Sequence, residues 1–162
     1  MANKKARPAK AARSLLVDVA SQTLRVMEGR KVAAEFPVST SKFGLGFEEG
    51  SYKTPTGKFR IARKIGGSAA PWTIFRARKN TGHLAKPGGK EDLVLTRILT
   101  LDGLERHNAN SLARYIYIHG TNQEHLIGTA ASHGCVRLRN SDMISLHRMV
   151  RAGTLVRILP PA

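Results

Sequence analysis

The chain has a single cysteine, Cys135, in 162 residues. No internal disulfide can therefore staple the fold, and the thiol is a core residue, a metal ligand or a reactive group. Acidic residues are also scarce, 11 Asp plus Glu against 27 Lys plus Arg, for a formal net charge of +16. Such an imbalance attracts polyanions in general, whether nucleic acid, anionic wall polymers or membrane surfaces, and selects none of them. Aromatic residues make up only 6%, too few to supply the stacking platforms of single-strand binders. No apolar run approaches the roughly 18 to 20 residues of a membrane-crossing helix, and the longest early one, Leu15-Leu16-Val17, is cut by Asp18. The glycines of Lys86-Pro87-Gly88-Gly89-Lys90 lack the Gly-Lys-Ser/Thr ending of a phosphate-binding loop.

Residues 1–13 carry Lys4, Lys5, Arg7, Lys10 and Arg13 without an acid. This segment has too little apolar surface to offset the entropy of ordering it, and it reads as a disordered basic tail. No apolar segment or small-residue cleavage site follows it, so no signal peptide is visible. The remaining residues, 14–162, are enough for one domain with a substantial core. Period-two runs at Leu15–Val19, Thr23–Met27 and Lys31–Val38, with hairpin-length gaps, predict antiparallel strands.

A glycine-rich stretch from Ser39 to Gly57 reads as loops over a sheet. Trp72–Phe75, Leu93–Leu99 and Tyr115–Ile118 read as further strands, and Lys79–Glu91, with Gly82, Pro87, Gly88 and Gly89, as a mobile flap. Trp72 itself reads as a core or edge anchor, with a place in a substrate groove as the sharper option. Asn140 or Ser141 is suited to cap a short helix that presents Met143, Leu146, His147 and Val150 on one face. Gly153 ends that helix, and Thr154–Leu159 is a last strand. The class is mostly β, with a short C-terminal helix before the final strand.

The chemistry-bearing residues are His119-Gly120-Thr121 and Ser132-His133-Gly134-Cys135-Val136-Arg137. A cysteine nucleophile needs an imidazole, a cation or backbone N–H groups to favour its thiolate. His133 sits two positions before Cys135 in a tight loop, whereas His119, at the end of a strand, can approach from across the fold. A zinc site from His119, His125, His133 and Cys135 is chemically possible, but the spacing matches no common zinc module. The flanking pattern favours a reactive thiol over an inert one.

This pattern resembles the signature of the L,D-transpeptidase catalytic domain, the YkuD family, in which a strand-borne His precedes a Ser/Thr-His-Gly-Cys loop. Sixteen positions separate His119 from Cys135, within that family's spacing. Val17-Asp18 with Pro37-Val38-Ser39-Thr40, and Thr54-Pro55-Thr56-Gly57-Lys58-Phe59, resemble its earlier segments. The resemblance implies a single β-sandwich domain and no metal or organic cofactor.

The same resemblance implies acyl transfer on peptidoglycan stem peptides, with Cys135 attacking the carbonyl of the third stem residue and expelling D-alanine. Transfer to a second stem gives a 3-3 cross-link; transfer to water makes the protein an L,D-carboxypeptidase. It further implies His119 as proton donor and acceptor, the Gly120 carbonyl as its orienting partner, and His133 with Gly134 at the oxyanion region. Ser132, Arg137 and Tyr117 are candidate substrate-binding residues, and Arg137 offers a planar fork for a carboxylate. The family often has Asn at this last position, with Arg the form associated with Gram-negative members. Carbapenems are expected to acylate Cys135, the location implied is the cell envelope, and a monomer is expected. A non-catalytic module that holds anionic wall polymers or nucleic acid through its basic surface explains the charge but not the Cys and His arrangement. A papain-like peptidase does not fit the order of His and Cys.

Overall fold

The computed structural model describes residues 12–162. Most of the expected basic tail, residues 1–11, lies outside the described residues. Its last residue does not belong to a tail: Arg13 opens strand β1 (Arg13–Asp18), where it pairs with Glu28 at 3.0 Å.

The three-stranded meander read from the period-two runs is present as β1, β2 (Thr23–Glu28) and β3 (Lys31–Pro37). Leu15, Val17, Leu24 and Val26 are buried while their alternate neighbours are partly exposed, as one core-facing surface requires. The other elements are β4 (Gly57–Ile65), β5 (Thr73–Arg76), β6 (Lys79–Leu84), β7 (Val94–Gly103), β8 (Tyr117–Gly120), β9 (Val136–Leu138), helix α1 (Asn140–Met149) and β10 (Leu155–Leu159).

Among the described residues these strands join one hydrogen-bonded sheet in the order β3-β2-β1-β10-β4-β7-β5-β6, from which β8 and β9 branch off β7. The branch is possible because β7 is long. Its C-terminal half pairs with β4 and its N-terminal end with β5, which leaves the opposite edge for β8. β1 and β10 run parallel, so the first and last strands lie side by side in the interior of the sheet.

One continuous core holds Phe59, Ile61, Leu99, Leu101, Ile118, Val136 and Leu138 from the sheet. Met143, Leu146 and Val150, on and just after α1, close over it. Each such side chain contributes roughly 1.5–3 kcal/mol by leaving water.

Four local expectations change. Lys79–Glu91 is not a free flap: Lys79–Leu84 forms β6 against β5. The segment after it is strapped by Asn122, whose Nδ2 donates to Gly88 O at 2.8 Å and Glu91 O at 2.9 Å. Tyr115 stands outside β8 with φ of 59° and is exposed, whereas Tyr117 is buried, so the two do not share a strand face. Neither Asn140 nor Ser141 caps α1, because Arg139 occupies the N-cap without a side-chain cap bond. Asn140 instead turns inward, donating to Thr121 O at 2.8 Å and accepting from Thr96 Oγ1 at 2.5 Å. Finally, α1 has ended by Met149, before Gly153, which occupies a turn with φ of 91° ahead of β10.

Candidate active site

β8 and β9 are parallel neighbours with His119 in register with Arg137 and Ile118 with Val136. Parallel strands need a crossover of about a dozen residues or more, and the segment between His119 and Cys135 supplies it. Residues paired in register point to the same side, and sides alternate along a strand. Ile118, Val136 and Leu138 therefore enter the core, while Tyr117, His119, Cys135 and Arg137 emerge together on the opposite face.

Cys135 sits one position before β9, alongside Tyr117. Its Sγ accepts the Tyr117 N–H at 3.3 Å and donates to Tyr115 O at 3.3 Å. His119 is 1% exposed, and its Nδ1 lies 2.6 Å from Gly120 O. A carbonyl only accepts, so Nδ1 carries the hydrogen and Nε2 holds the free lone pair. Gly120 is required for space, since a Cβ there would meet Asn140 Oδ1 and lie 2.9 Å from Leu95 O.

The cysteine loop is braced by both upstream segments singled out in the sequence. Ser39 exchanges backbone hydrogen bonds with Arg137 at 2.9 and 3.0 Å, and Ser132 N donates to Thr40 O at 2.9 Å. Thr54 Oγ1 donates to Gly134 O at 2.9 Å, where the chain turns through φ of 122°. Ser132 is fully buried; its hydroxyl donates to Cys135 O at 2.7 Å and accepts Gly134 N–H at 3.2 Å. It therefore holds the turn and presents no free surface for substrate. The N–H of Gly134 is likewise committed to this turn, and the N–H of Cys135 has no acceptor among the described residues.

Arg137 departs furthest from its expected role. It is 0% exposed, with Nη1 donating to Asp92 Oδ1 at 3.1 Å and Gln123 Oε1 at 2.7 Å, and Nη2 to Ser39 Oγ at 3.1 Å. Its Nε is buried without a partner, and with both Nη atoms engaged and no exposed surface Arg137 does not offer its fork to a substrate carboxylate.

Asp92 is the residue that sequence reading missed. Its Oδ2 also accepts from His133 N and contacts His133 Nδ1, both at 3.1 Å, so one carboxylate links the cysteine loop to the buried arginine. Only its place just before β7, after a glycine-rich loop, hinted at it. His133 is held in addition by the rings of Phe43 and Tyr52, with centroids 5.8 and 5.7 Å away. Cys135, His119, His133, Asp92 and Val94 line one cavity of about 410 Å³. Tyr117 lines the next cavity, and His125 is exposed on the crossover. Trp72 is half-buried at the start of β5, its N–H donating to Thr96 Oγ1 at 2.9 Å. No group of three or more His, Cys, Asp or Glu among the described residues is arranged to hold a metal ion.

Burial pushes the Cys135 thiol up to about 12, and the Asp92 charge adds to this; the Tyr117 N–H, Arg137 and Arg114 pull the other way. Burial also lowers His119 below its ordinary value, against the opposing pull of Asp92 and the Gly120 carbonyl. Burial pushes Asp92 up too, but the charges of His119 and Arg137 and the hydrogen bonds from His133 and Arg137 hold it below the ordinary carboxylate value. Both shifts favour the neutral form, of a thiol and an imidazole that line one cavity.

The family model for the L,D-transpeptidase catalytic domain, YkuD, matches residues 12–158. The chain belongs to the YkuD family. It is 24% identical over 146 residues to the putative L,D-transpeptidase YkuD of Bacillus licheniformis, covering 90% of this chain and 65% of that protein. It is 44% identical over 126 residues to the probable L,D-transpeptidase YcfS of Escherichia coli K12, covering 75% of this chain and 37% of the relative. Among solved structures, LD transpeptidase LdtMt1 in complex with imipenem superposes with a TM-score of 0.58 at 18% identity, over 91% of this chain and 59% of that one. The mostly-β YkuD fold with its late helix is thereby established. The chain spans about 65% of the length of its Bacillus licheniformis relative.

Proposed function

We propose that this protein is a peptidoglycan L,D-transpeptidase in which Cys135 is the nucleophile and His119 the general base. The observation that carries the proposal is the shared face of β8 and β9, where a thiol and an imidazole with a free Nε2 line one cavity. His119 Nε2 takes the thiol proton as Sγ adds to the carbonyl of the third stem residue. The Cys135 N–H, free of any acceptor among the described residues, donates to the developing oxyanion. Collapse expels the amine of D-alanine, which takes the proton back from His119 and leaves a thioester. The amine of a second stem then attacks the thioester and gives its proton to His119; the C–S bond breaks, the sulfur takes that proton, and a 3-3 cross-link results.

The +16 charge favours residence among anionic polymers of the cell envelope. A carbapenem carbonyl would acylate the same sulfur. The test is intact-mass and product analysis with a tetrapeptide stem, for wild type and Cys135→Ala. D-Alanine release that requires Cys135 supports the proposal, with dimers naming a stem as acceptor and tripeptides naming water. Release that persists in Cys135→Ala, or is absent from wild type, refutes it.

A further inference from the structure

The charges of Arg137 and Arg114 reach the Cys135 thiol, and a third guanidinium, Arg78, lines the neighbouring cavity; the first two are committed. Arg137 is filled by Asp92, Gln123 and Ser39. Arg114 donates to Lys53 O at 2.8 Å and Gly46 O at 3.3 Å, stapling one loop to another. The third, Arg78, is exposed and has no carboxylate or carbonyl partner among the described residues.

Arg78 is held in place by an uncommon turn. β5 and β6 are joined at Ala77-Arg78, between the paired residues Arg76 and Lys79, and both central residues have positive φ, 48° and 64°. Two-residue turns of this kind usually carry Asn-Gly. Ala-Arg adopts the shape at a cost in backbone strain. The turn brings the guanidinium 6.0 Å from the ring centroid of Tyr115, itself at φ of 59°.

Arg78 also lines a cavity of about 400 Å³ walled by Phe75, Val94, Ile98 and Tyr117 with Tyr115, and it is the one charged residue that lines it among the described residues. This cavity adjoins the reacting sulfur. Tyr117 N–H and Tyr115 O hold Sγ, and Val94 lines both this cavity and the one that contains Cys135 and His119.

We infer that the cavity between the β5–β6 turn and Tyr115 is a carboxylate subsite, in which Arg78 pairs with the free C-terminal carboxylate of the acyl donor. This inference rests on the acyl-transfer proposal for the identity of the donor. The residue expelled by Cys135 carries that carboxylate one residue beyond the attacked carbonyl, and its small side chain faces the apolar walls. A guanidinium that is unspent in the free protein meets the carboxylate with charge-assisted hydrogen bonds. Arg78 is then a specificity residue, selecting donors that end at the leaving residue.

The test compares a charged and a neutral reagent of nearly the same shape. Iodoacetate and iodoacetamide each alkylate Cys135 with loss of iodide, and their rate ratio reports carboxylate recognition without any turnover. Arg78→Ala should lower the iodoacetate-to-iodoacetamide ratio about fivefold, while Arg78→Lys and Arg76→Ala keep most of it. With a tetrapeptide stem and its C-terminal carboxamide, wild type should prefer the acid, and Arg78→Ala should lose that preference.

A ratio that Arg78→Ala leaves unchanged, or that Arg76→Ala lowers equally, overturns the subsite. An Arg78-dependent ratio in a protein that releases no D-alanine supports the subsite and removes the acyl-transfer proposal instead. Equal loss of rate on both peptides with an unchanged alkylation ratio removes the subsite and leaves acyl transfer standing.

Discussion

On one face of the β8–β9 pair, Ile118, Val136 and Leu138 pack into the apolar core; on the other, Tyr117, His119, Cys135 and Arg137 gather around a cavity and a buried ion pair. The two faces share a backbone and differ in what each side chain needs. An apolar neighbour is satisfied by any group of similar volume, so the core face tolerates exchange. His119 and Arg137 each depend on named partners at fixed distances, so the other face does not. A register slip of one residue would exchange the faces, placing His119 in the core and Ile118 at the site.

The comparison can be broken most sharply at the sulfur. Cys135→Ala should remove D-alanine release by at least roughly 10³-fold, while urea denaturation places its stability within about 1 kcal/mol of wild type. Next in size is His119→Gln, for which steady-state kinetics should show a fall of roughly 10²–10⁴-fold. In wild type the acid limb of kcat/KM should lie below pH 6.5, because burial lowers His119 from that ordinary value. A limb above 6.5 would contradict the neutral resting pair.

Asp92→Asn tests whether the polar face also carries stability. It leaves Arg137, 0% exposed, without its carboxylate, and should cost roughly 3 kcal/mol in a denaturant titration.

His147, on α1, offers a contrast. It is buried with no partner for Nε2, and burial, with Lys64 and Arg97 nearby, lowers it to about 4. The unfolded chain protonates it near 6.5, so it binds the extra proton between those values. Stability should therefore fall as pH drops from about 6.5 through 4, by at most roughly 3 kcal/mol. His147→Gln should flatten that part of the pH–stability curve. The smallest effect belongs to the core face: Ile118→Val should cost about 1 kcal/mol and leave kcat/KM unchanged.

The meander, the late helix and the meeting of His119 with Cys135 at one cavity were legible because each is announced locally, by alternation of side chains, by helical spacing or by a loop pattern. Asp92 was not, since its partners His133 and Arg137 lie 41 and 45 positions away and nothing around it repeats. Arg137 was misread because arginine is almost never fully buried unless paired, and its pair was that unseen aspartate. Asn140 looked like a helix cap for the same reason: its acceptors and donors, Thr121 and Thr96, belong to other elements. The break at Tyr115 is a backbone property with no glycine or proline to signal it.

The pairing of β1 with β10 has a consequence for how the protein is made. β10 is the strand that joins the β1–β3 meander to β4 and the rest of the sheet. During synthesis the meander emerges first, but its inner edge stays open until Leu155–Leu159 have left the ribosome. The cysteine loop is thus complete in the chain before the sheet beneath it can close. Closure of the sheet therefore waits for β10, and a nascent chain stalled short of Leu155 exposes the edge of β1 to whatever strand it meets.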